Sequence, residues 1–134
     1  MNVTVQVITA AQRISFSEEN DIEVIGSFNS EQETLEFAGT HKPAIILLGY
    51  EVEKTNSELF IQSLLIESPE SKVILIGNLL SDETILNCLI SAIYGYMEWQ
   101  DIDKFLHKAI CSVGKGEAWV SRRLVGLLIR KLRG

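Results

Sequence analysis

The sequence has few of the residues that cross-link a chain or interrupt its helices and strands. It contains only two cysteines and two prolines in 134 residues. Cys88 and Cys111 both lie in apolar helical patterns, which favours buried reduced thiols over a disulfide or half of a metal site. We therefore expect a fold held together by packing, with no metal and no cofactor.

Long apolar runs are also missing. No run approaches the roughly 18 residues that a membrane helix needs. The start, MNVTVQVITA, lacks the basic segment of a secretory signal. We therefore predict a cytoplasmic protein with no membrane partner. What the sequence does have is the composition of one globular domain, with 46% hydrophobic and 22% charged residues.

Basic charge is concentrated at one end of the chain. The net charge is −6, yet residues 120–134 carry +5 and no acid, so the preceding 119 residues carry −11. Binding to nucleic acid requires clustered cations that neutralise phosphates. The acidic part is therefore not expected to bind nucleic acid by itself.

Five short segments predict β-strands: Val3 to Ile8, Ile22 to Phe28, Ala44 to Leu48, Lys72 to Ile76 and Tyr94 to Met97. The third and fourth are continuously apolar, which is typical of parallel strands covered on both faces. Helix starts are predicted between them at Ser30 with Glu33, at Ser57 and at Ser81. This alternation predicts a three-layer α/β sandwich.

Three apolar stripes predict the buried faces of the later helices. They consist of Ile85, Leu86, Leu89, Ile90 and Ile93; of Ile102, Phe105, Leu106, Ala109, Ile110 and Val113; and of Leu124, Leu128 and Leu132. Gly114 and Gly116 separate the last helix from the rest. We therefore expect a domain at residues 1–116 and a basic amphipathic helix at residues 117–134. That helix is either a linker to a DNA-binding domain absent from this chain or a solvated helix docked on the acidic body.

These segments resemble the receiver domains of bacterial response regulators, in the branch with a helix-turn-helix DNA-binding domain of LuxR/NarL type. The matching stretches are DIEVIGSF, KPAIILL, ESPESKVILIG, YGYM and AICSVGKGEAWVSRRLVGLL, from Asp21 to about Leu128. The resemblance implies a flavodoxin-like fold. It has a five-stranded parallel sheet in the order 2-1-3-4-5, helices on both faces and an additional sixth helix at the C-terminus.

The residues that perform the family's chemistry are not in this sequence. Receivers hold Mg²⁺ with acids after strand 1, accept phosphate on an Asp after strand 3, and use a hydroxyl after strand 4 and a Lys after strand 5. The matching positions are Thr9 to Ala11, Gly49, Gly77 and Trp99. The resemblance therefore implies a degenerate receiver with no catalytic residue and no metal site.

Other residues near these positions have alternative interpretations. Glu51, Glu53 and Glu98 are interpreted as solvated loop charge. Tyr96 matches the family's switch aromatic, but without a hydroxyl at position 77 it is interpreted as a packing residue. The first helix, between Ala10 and Asp21, is predicted to be about two turns shorter than in the family.

Two surface features remain as candidates for function. Leu79 and Leu80 lie in the loop before the helix that contains Ile85, and with Tyr96 they are a candidate dimer or partner surface unless the two leucines fold back over the sheet. The resemblance implies such a surface, because in the family the face formed by its fourth helix, fifth strand and fifth helix commonly has that role. Trp119, Ser121 and Arg122 resemble a motif that binds cyclic di-guanylate. In the alternative interpretation Trp119 packs and Ser121 caps the last helix.

The leading hypothesis is a phosphorylation-independent pseudo-receiver of a transcriptional regulator, acting through a homodimer, a protein partner or a ligand. DNA would be bound only through a C-terminal domain not in this chain. The alternatives are a stand-alone adaptor of receiver fold and a cyclic di-guanylate sensor that uses Trp119 to Arg122. An enzyme is not expected, because neither His41 nor His107 lies beside a recognisable nucleophile arrangement.

Overall fold

The computed structural model describes residues 3–8, 22–28, 30–49, 57–91 and 93–134. The predicted short first helix, the positions Thr9 to Ala11, and Glu51 and Glu53 lie outside the described residues.

Strands and helices alternate along most of the chain. In chain order they are β1 (Val3–Ile8), β2 (Ile22–Phe28), α1 (Glu31–His41), β3 (Ile45–Gly49), α2 (Ser57–Glu67), β4 (Lys72–Gly77), α3 (Asp82–Ser91), β5 (Gly95–Glu98), α4 (Ile102–Gly114) and α5 (Arg122–Arg133). A single 3-10 turn, Trp99–Asp101, joins β5 to α4. The five predicted strands are confirmed, with no end displaced by more than one residue.

All five strands belong to one parallel sheet in the order β2-β1-β3-β4-β5. This order confirms the predicted topology. Successive residues of a strand point to opposite faces of the sheet. Ile45, Leu47, Ile74 and Ile76 accordingly pack with α4 in one core layer. On the other face, Ile46, Leu48, Val73 and Leu75 pack with α1 and α2. The continuous apolar runs of β3 and β4 therefore fill both layers.

Serine side chains begin three of the helices, because their oxygens accept hydrogen bonds from backbone N–H groups that have no partner within the helix. Ser30 Oγ accepts from the backbone N of Glu33 at 3.4 Å, and Ser81 Oγ accepts from Thr84 at 3.1 Å. Ser121 Oγ accepts from the backbone N of Leu124 at 3.2 Å. The predicted starts at Ser30 and Ser81 are therefore confirmed by their hydrogen bonds.

The predicted apolar stripes are wrong at some positions. Ile90 was expected in the core stripe of α3, but it is exposed, and the buried residues of that helix are Ile85, Leu86 and Cys88. Ile90 lies two residues after Cys88, about 200° around the helix, so both cannot face the sheet. Phe105 of α4 is likewise exposed, and its ring lies 6.4 Å from that of Trp119 between centroids.

The cysteines and the last helix also differ in part from expectation. Cys88 is buried, whereas Cys111 is only half-buried. In α5, Leu124 is buried, but Leu132 at the far end of the same predicted stripe is exposed. In the described ranges, no helix is long and apolar enough to cross a membrane.

Candidate functional site

The carboxyl end of the sheet is where an open parallel sheet of this kind binds its ligands. Gly49 is the last residue of β3, and Gly77 is the last residue of β4. Both are buried. Neither residue carries a side chain that could accept a phosphoryl group or hydrogen-bond to one.

The space beside Gly77 is already filled. A Cβ atom at this position would lie 2.6 Å from both Cγ and Cδ1 of Leu80 and 3.2 Å from Oη of Tyr96. Leu80 therefore occupies the volume that a serine or threonine side chain at position 77 would need. Any larger residue at this position would require the Leu80 side chain to shift.

Trp99 begins the 3-10 turn after β5 and is buried in the core layer that contains Met97 and Ile102. Its indole Nε1 atom is buried, and no residue in the described ranges accepts its hydrogen bond. An indole supplies one neutral donor and cannot replace an ammonium group. This position therefore contributes bulk and one N–H group to the end of the sheet, and no positive charge.

Glu98 connects the end of β5 to the loop that follows β4. Its carboxylate accepts a hydrogen bond from the backbone N of Leu79 at 2.8 Å and another from the phenol of Tyr96. Burial, followed by the bond to Glu98, raises the pKa of Tyr96 well above its usual range. The interpretation of Glu98 as solvated loop charge is wrong, because this carboxylate has two specific partners. No periodicity or motif in the sequence indicates them.

The two leucines of the β4–α3 loop have different environments. Leu80 is half-buried and packs against the buried cluster that includes Leu48, Leu75 and Cys88. Leu79 has a left-handed backbone, with φ of 53°, and its side chain is 84% exposed. One leucine thus folds back over the sheet, while the other is presented to solvent.

A groove of about 720 Å³ lies between this loop, β5, the start of α4 and the start of α5. Its apolar lining includes Leu79, Leu80, Ile85, Phe105, Trp119 and Leu124. Its charged lining consists of Asp82, Glu98, Asp101 and Arg123. The groove is therefore acidic as well as aromatic.

Arg123 is paired within the groove. Its guanidinium donates to both carboxylate oxygens of Asp82, at 2.6 and 3.1 Å. This bond holds the pKa of Asp82 below its ordinary value. The bidentate geometry fixes the first turn of α5 against the start of α3.

Trp119 joins the sheet through its backbone. Its N–H donates to the carbonyl of Tyr94 at 2.9 Å, and its carbonyl accepts from the N–H of Tyr96 at 3.0 Å. A Cβ atom on Gly95 would lie 3.0 Å from Trp119 Cβ, so this approach requires a glycine. From the sequence, Trp119 is interpreted either as a nucleotide-binding residue or as a packing residue, and neither interpretation predicts this parallel bridge to β5.

The residues of the suggested nucleotide motif do not all meet at the groove. Trp119 and Ser121 line it, and Ser121 caps α5. Arg122 is exposed and is not among the lining residues.

The histidines lie away from this groove, on α1 and α4. His41 stacks on Phe37, with ring centroids 3.9 Å apart. His107 lies beside Cys111, with Nε2 3.8 Å from the sulfur. In the part of the chain that the structure describes, no three His, Cys, Asp or Glu side chains form a metal-binding group.

The chain is similar in sequence and in fold to known response regulators. No family model matches the chain. In sequence, the chain is 24% identical over 114 residues to the DNA-binding transcriptional activator DevR/DosR of Mycobacterium tuberculosis, covering 85% of this chain and 52% of that protein. The chain thus spans about half the length of this curated relative.

Solved structures share the architecture over nearly the whole chain. A LuxR-family two-component response regulator from Aurantimonas sp. SI85-9A1 superposes with a TM-score of 0.82, at 10% identity over 100% of both chains. A structure of two RcsB dimers bound to two parallel DNAs gives a TM-score of 0.77 at 15% identity, over 96% of this chain and 68% of that one. The chain has the fold of a response regulator receiver domain and is similar to those of LuxR-family regulators.

Proposed function

We propose that this receiver-fold chain is a phosphorylation-independent regulatory domain of a transcription regulator, acting by association with a second copy or a protein partner. The observation that carries the proposal is the occupied space at Gly77. Leu80 fills the position where a receiver would place its phosphate-sensing hydroxyl, and Gly49 ends β3 without a carboxylate. Phosphoryl transfer requires a carboxylate nucleophile and groups that neutralise the phosphate. Neither Gly49, Gly77 nor Trp99 supplies one.

The two hydrogen bonds that Glu98 accepts, from the phenol of Tyr96 and from the backbone N of Leu79, support the same proposal. In an ordinary receiver, the loop after strand 4 and the aromatic of strand 5 would respond to the phosphate. Here a carboxylate of the chain itself already holds both segments. The face that they form would therefore be available without a chemical signal.

The relatives suggest the wider context. DevR/DosR is named a DNA-binding transcriptional activator, and RcsB is described as dimers on DNA. By analogy, this chain would regulate a DNA-binding domain that follows residue 134, with α5 as the connecting helix. A stand-alone adaptor is the alternative, and the length of the native reading frame separates the two.

The proposal is tested by titrating the protein with Mg²⁺ and beryllofluoride while heat release is measured, with a receiver that has its phosphoacceptor Asp as the positive control. We expect no saturable heat from this chain. Acetyl phosphate treatment followed by intact-mass measurement should add no phosphate. Micromolar beryllofluoride binding, or a phosphate bound to an Asp or Glu, would contradict the proposal.

Binding of cyclic di-guanylate stays a second prediction, carried by Trp119, Ser121 and Arg122. The exposed guanidinium of Arg122 favours it, whereas the carboxylates of Asp82, Glu98 and Asp101 would repel its phosphates. A thermal-shift titration distinguishes the two outcomes. Saturable stabilisation that is lost in Arg122→Ala would establish this function, and no shift would eliminate it.

A further inference from the structure

The C-terminal helix α5 has an apolar stripe that the described part of its own chain does not cover. Val125, Ile129 and Leu132 are spaced by four and three residues, which places them on one face of the helix. Their side chains are 41%, 44% and 67% exposed. The face that packs on the body is a different one, because Leu124 and Leu128 contact the cluster of Ile85 and Leu86.

Cations surround the distal part of this stripe. Arg130, Lys131 and Arg133 lie in the last turn of α5, and residues 120–134 contain no acid. If two copies associated through their α5 stripes alone, these like charges would be brought together, which is unfavourable. The stripe is therefore better suited to an acidic surface.

The groove supplies such a surface on the same molecule. Three carboxylates line it against a single guanidinium, that of Arg123, which Asp82 already binds. Leu79 and Phe105 are both exposed and lie beside these carboxylates. The bond between Arg123 and Asp82 demonstrates that a cation of α5 fits the chemistry of this groove. Asp101 accepts no side-chain hydrogen bond that caps its own helix α4.

We propose that the distal part of α5, residues 129–133, docks into the groove of a second copy of this chain, and that the second copy returns the same contact. Leu132 lies eight residues beyond Leu124, or about 12 Å farther along the helix, so the stripe extends away from its own groove. Two copies related by a two-fold axis exchange their helices in this way, each apolar stripe contacting Phe105 and each basic turn facing Asp101. This inference rests on the proposed function in taking association as the mode of action.

The test measures the oligomeric state of the whole chain by sedimentation equilibrium over a range of protein and salt concentrations. The wild-type chain is expected to form a dimer that weakens as salt is raised, because the contact includes exposed charges. Two variants reverse the charge on one side only. One is Arg130→Glu with Lys131→Glu on the helix, and the other is Asp101→Lys in the groove. Each alone should raise the dissociation constant by about tenfold or more.

Mixing these two variants provides the decisive measurement. In the mixed dimer the acidic helix faces the groove of the Asp101→Lys variant, whose charged lining has changed from a net −2 to 0. The unchanged helix enters the unchanged groove, so association should return toward the wild-type level. Ile66→Glu is the matched control, because Ile66 on α2 is 78% exposed and lies outside the groove lining. Its dimer should be unchanged. Circular dichroism of every variant verifies that it is folded.

Several results would overturn the docking. A wild-type chain that stays monomeric at about 100 µM, well above the micromolar range of ordinary specific complexes, contradicts it. A dimer that persists in Asp101→Lys points to pairing between the two α5 helices and also contradicts it, as does loss of the dimer in Ile66→Glu alone.

Repeating the sedimentation with beryllofluoride separates this inference from the proposed function. A charge-swapped dimer that forms only with beryllofluoride supports the docking and contradicts phosphorylation independence. A monomer under both conditions contradicts the docking and leaves the absence of phosphoryl chemistry intact.

Discussion

At the scale of single residues, Glu98 fixes two segments that are distant in sequence. One carboxylate oxygen binds the backbone of Leu79, and the other binds the phenol of Tyr96. Hydrogen bonds to an ionised acceptor are stronger than neutral ones. The left-handed turn at Leu79 and the rotamer of Tyr96 are therefore held by the same side chain.

Gly77 is the residue whose replacement would disturb this arrangement most directly. Gly77→Thr should lower the free energy of unfolding by about 1–3 kcal/mol, because the added atoms meet Leu80 and overpack the site. Urea denaturation measures the change. Gly126→Ala is the matched control. A Cβ at position 126 meets nothing within 4 Å, and alanine in a helix interior should stabilise the chain by about 0.5–1 kcal/mol. Equal effects of the two substitutions would contradict the packing described for Leu80.

At the scale of elements, α5 depends on its cap as well as on its apolar face. Ser121→Ala removes the oxygen that accepts from the backbone N of Leu124. We expect a loss of about 1 kcal/mol in the free energy of unfolding. Ser63→Ala is the control, because Ser63 lies inside α2 and its hydroxyl donates to the carbonyl of Leu59 four residues earlier. That substitution should be neutral or slightly stabilising. A cap variant as stable as the wild-type chain would contradict the capping role.

The elements themselves were predictable, because their signals are local. Each of these signals lies within a few consecutive residues. The apolar runs predicted the strand ends to within one residue, and the capping serines predicted helix starts. The exposure of Ile90 and Phe105 was not predictable, because it depends on how α3 and α4 rotate against the sheet.

The same limit applies to the candidate site. That Gly49 and Gly77 occupy the positions of the phosphoacceptor and the hydroxyl is a prediction from the resemblance, and it stays a prediction. The two bonds of Glu98 span up to 19 residues, and the backbone bridge of Trp119 joins residues 24 apart. No local pattern encodes such pairings, because they form only when the sheet assembles.

At the scale of the whole molecule, the Cys88 thiol and the Tyr96 phenol should make the free energy of unfolding depend on pH in the alkaline range. Burial raises the pKa of Cys88 from 9.0 to about 11, with a smaller contribution from Glu58. Burial, followed by the hydrogen bond to Glu98, raises the pKa of Tyr96 above its ordinary value of 10.0. Both groups hold their protons more tightly when folded, so the unfolded chain loses protons first as the pH rises.

The free energy of unfolding should therefore be unaffected by these groups below about pH 9 and should fall above it, through pH 11 for Cys88 and from pH 10 upward for Tyr96. Urea denaturation at pH 8 to 11 measures this slope. Cys88→Ala and Tyr96→Phe should each reduce it. If both variants leave the slope unchanged, groups other than Cys88 and Tyr96 cause the loss of stability at high pH.

The two backbone hydrogen bonds between Trp119 and β5 limit where the chain can be shortened. The division into residues 1–116 and 117–134 stays a prediction, and Trp119 lies beyond the proposed border. A fragment cut at residue 116 would lose the partners of the Tyr94 carbonyl and the Tyr96 N–H. Its outer strand would then be open to pairing with strands of other molecules. Fragments intended for solution work should therefore include both Trp119 and α5, because Leu124 of α5 packs in one buried cluster with Ile85 and Leu86.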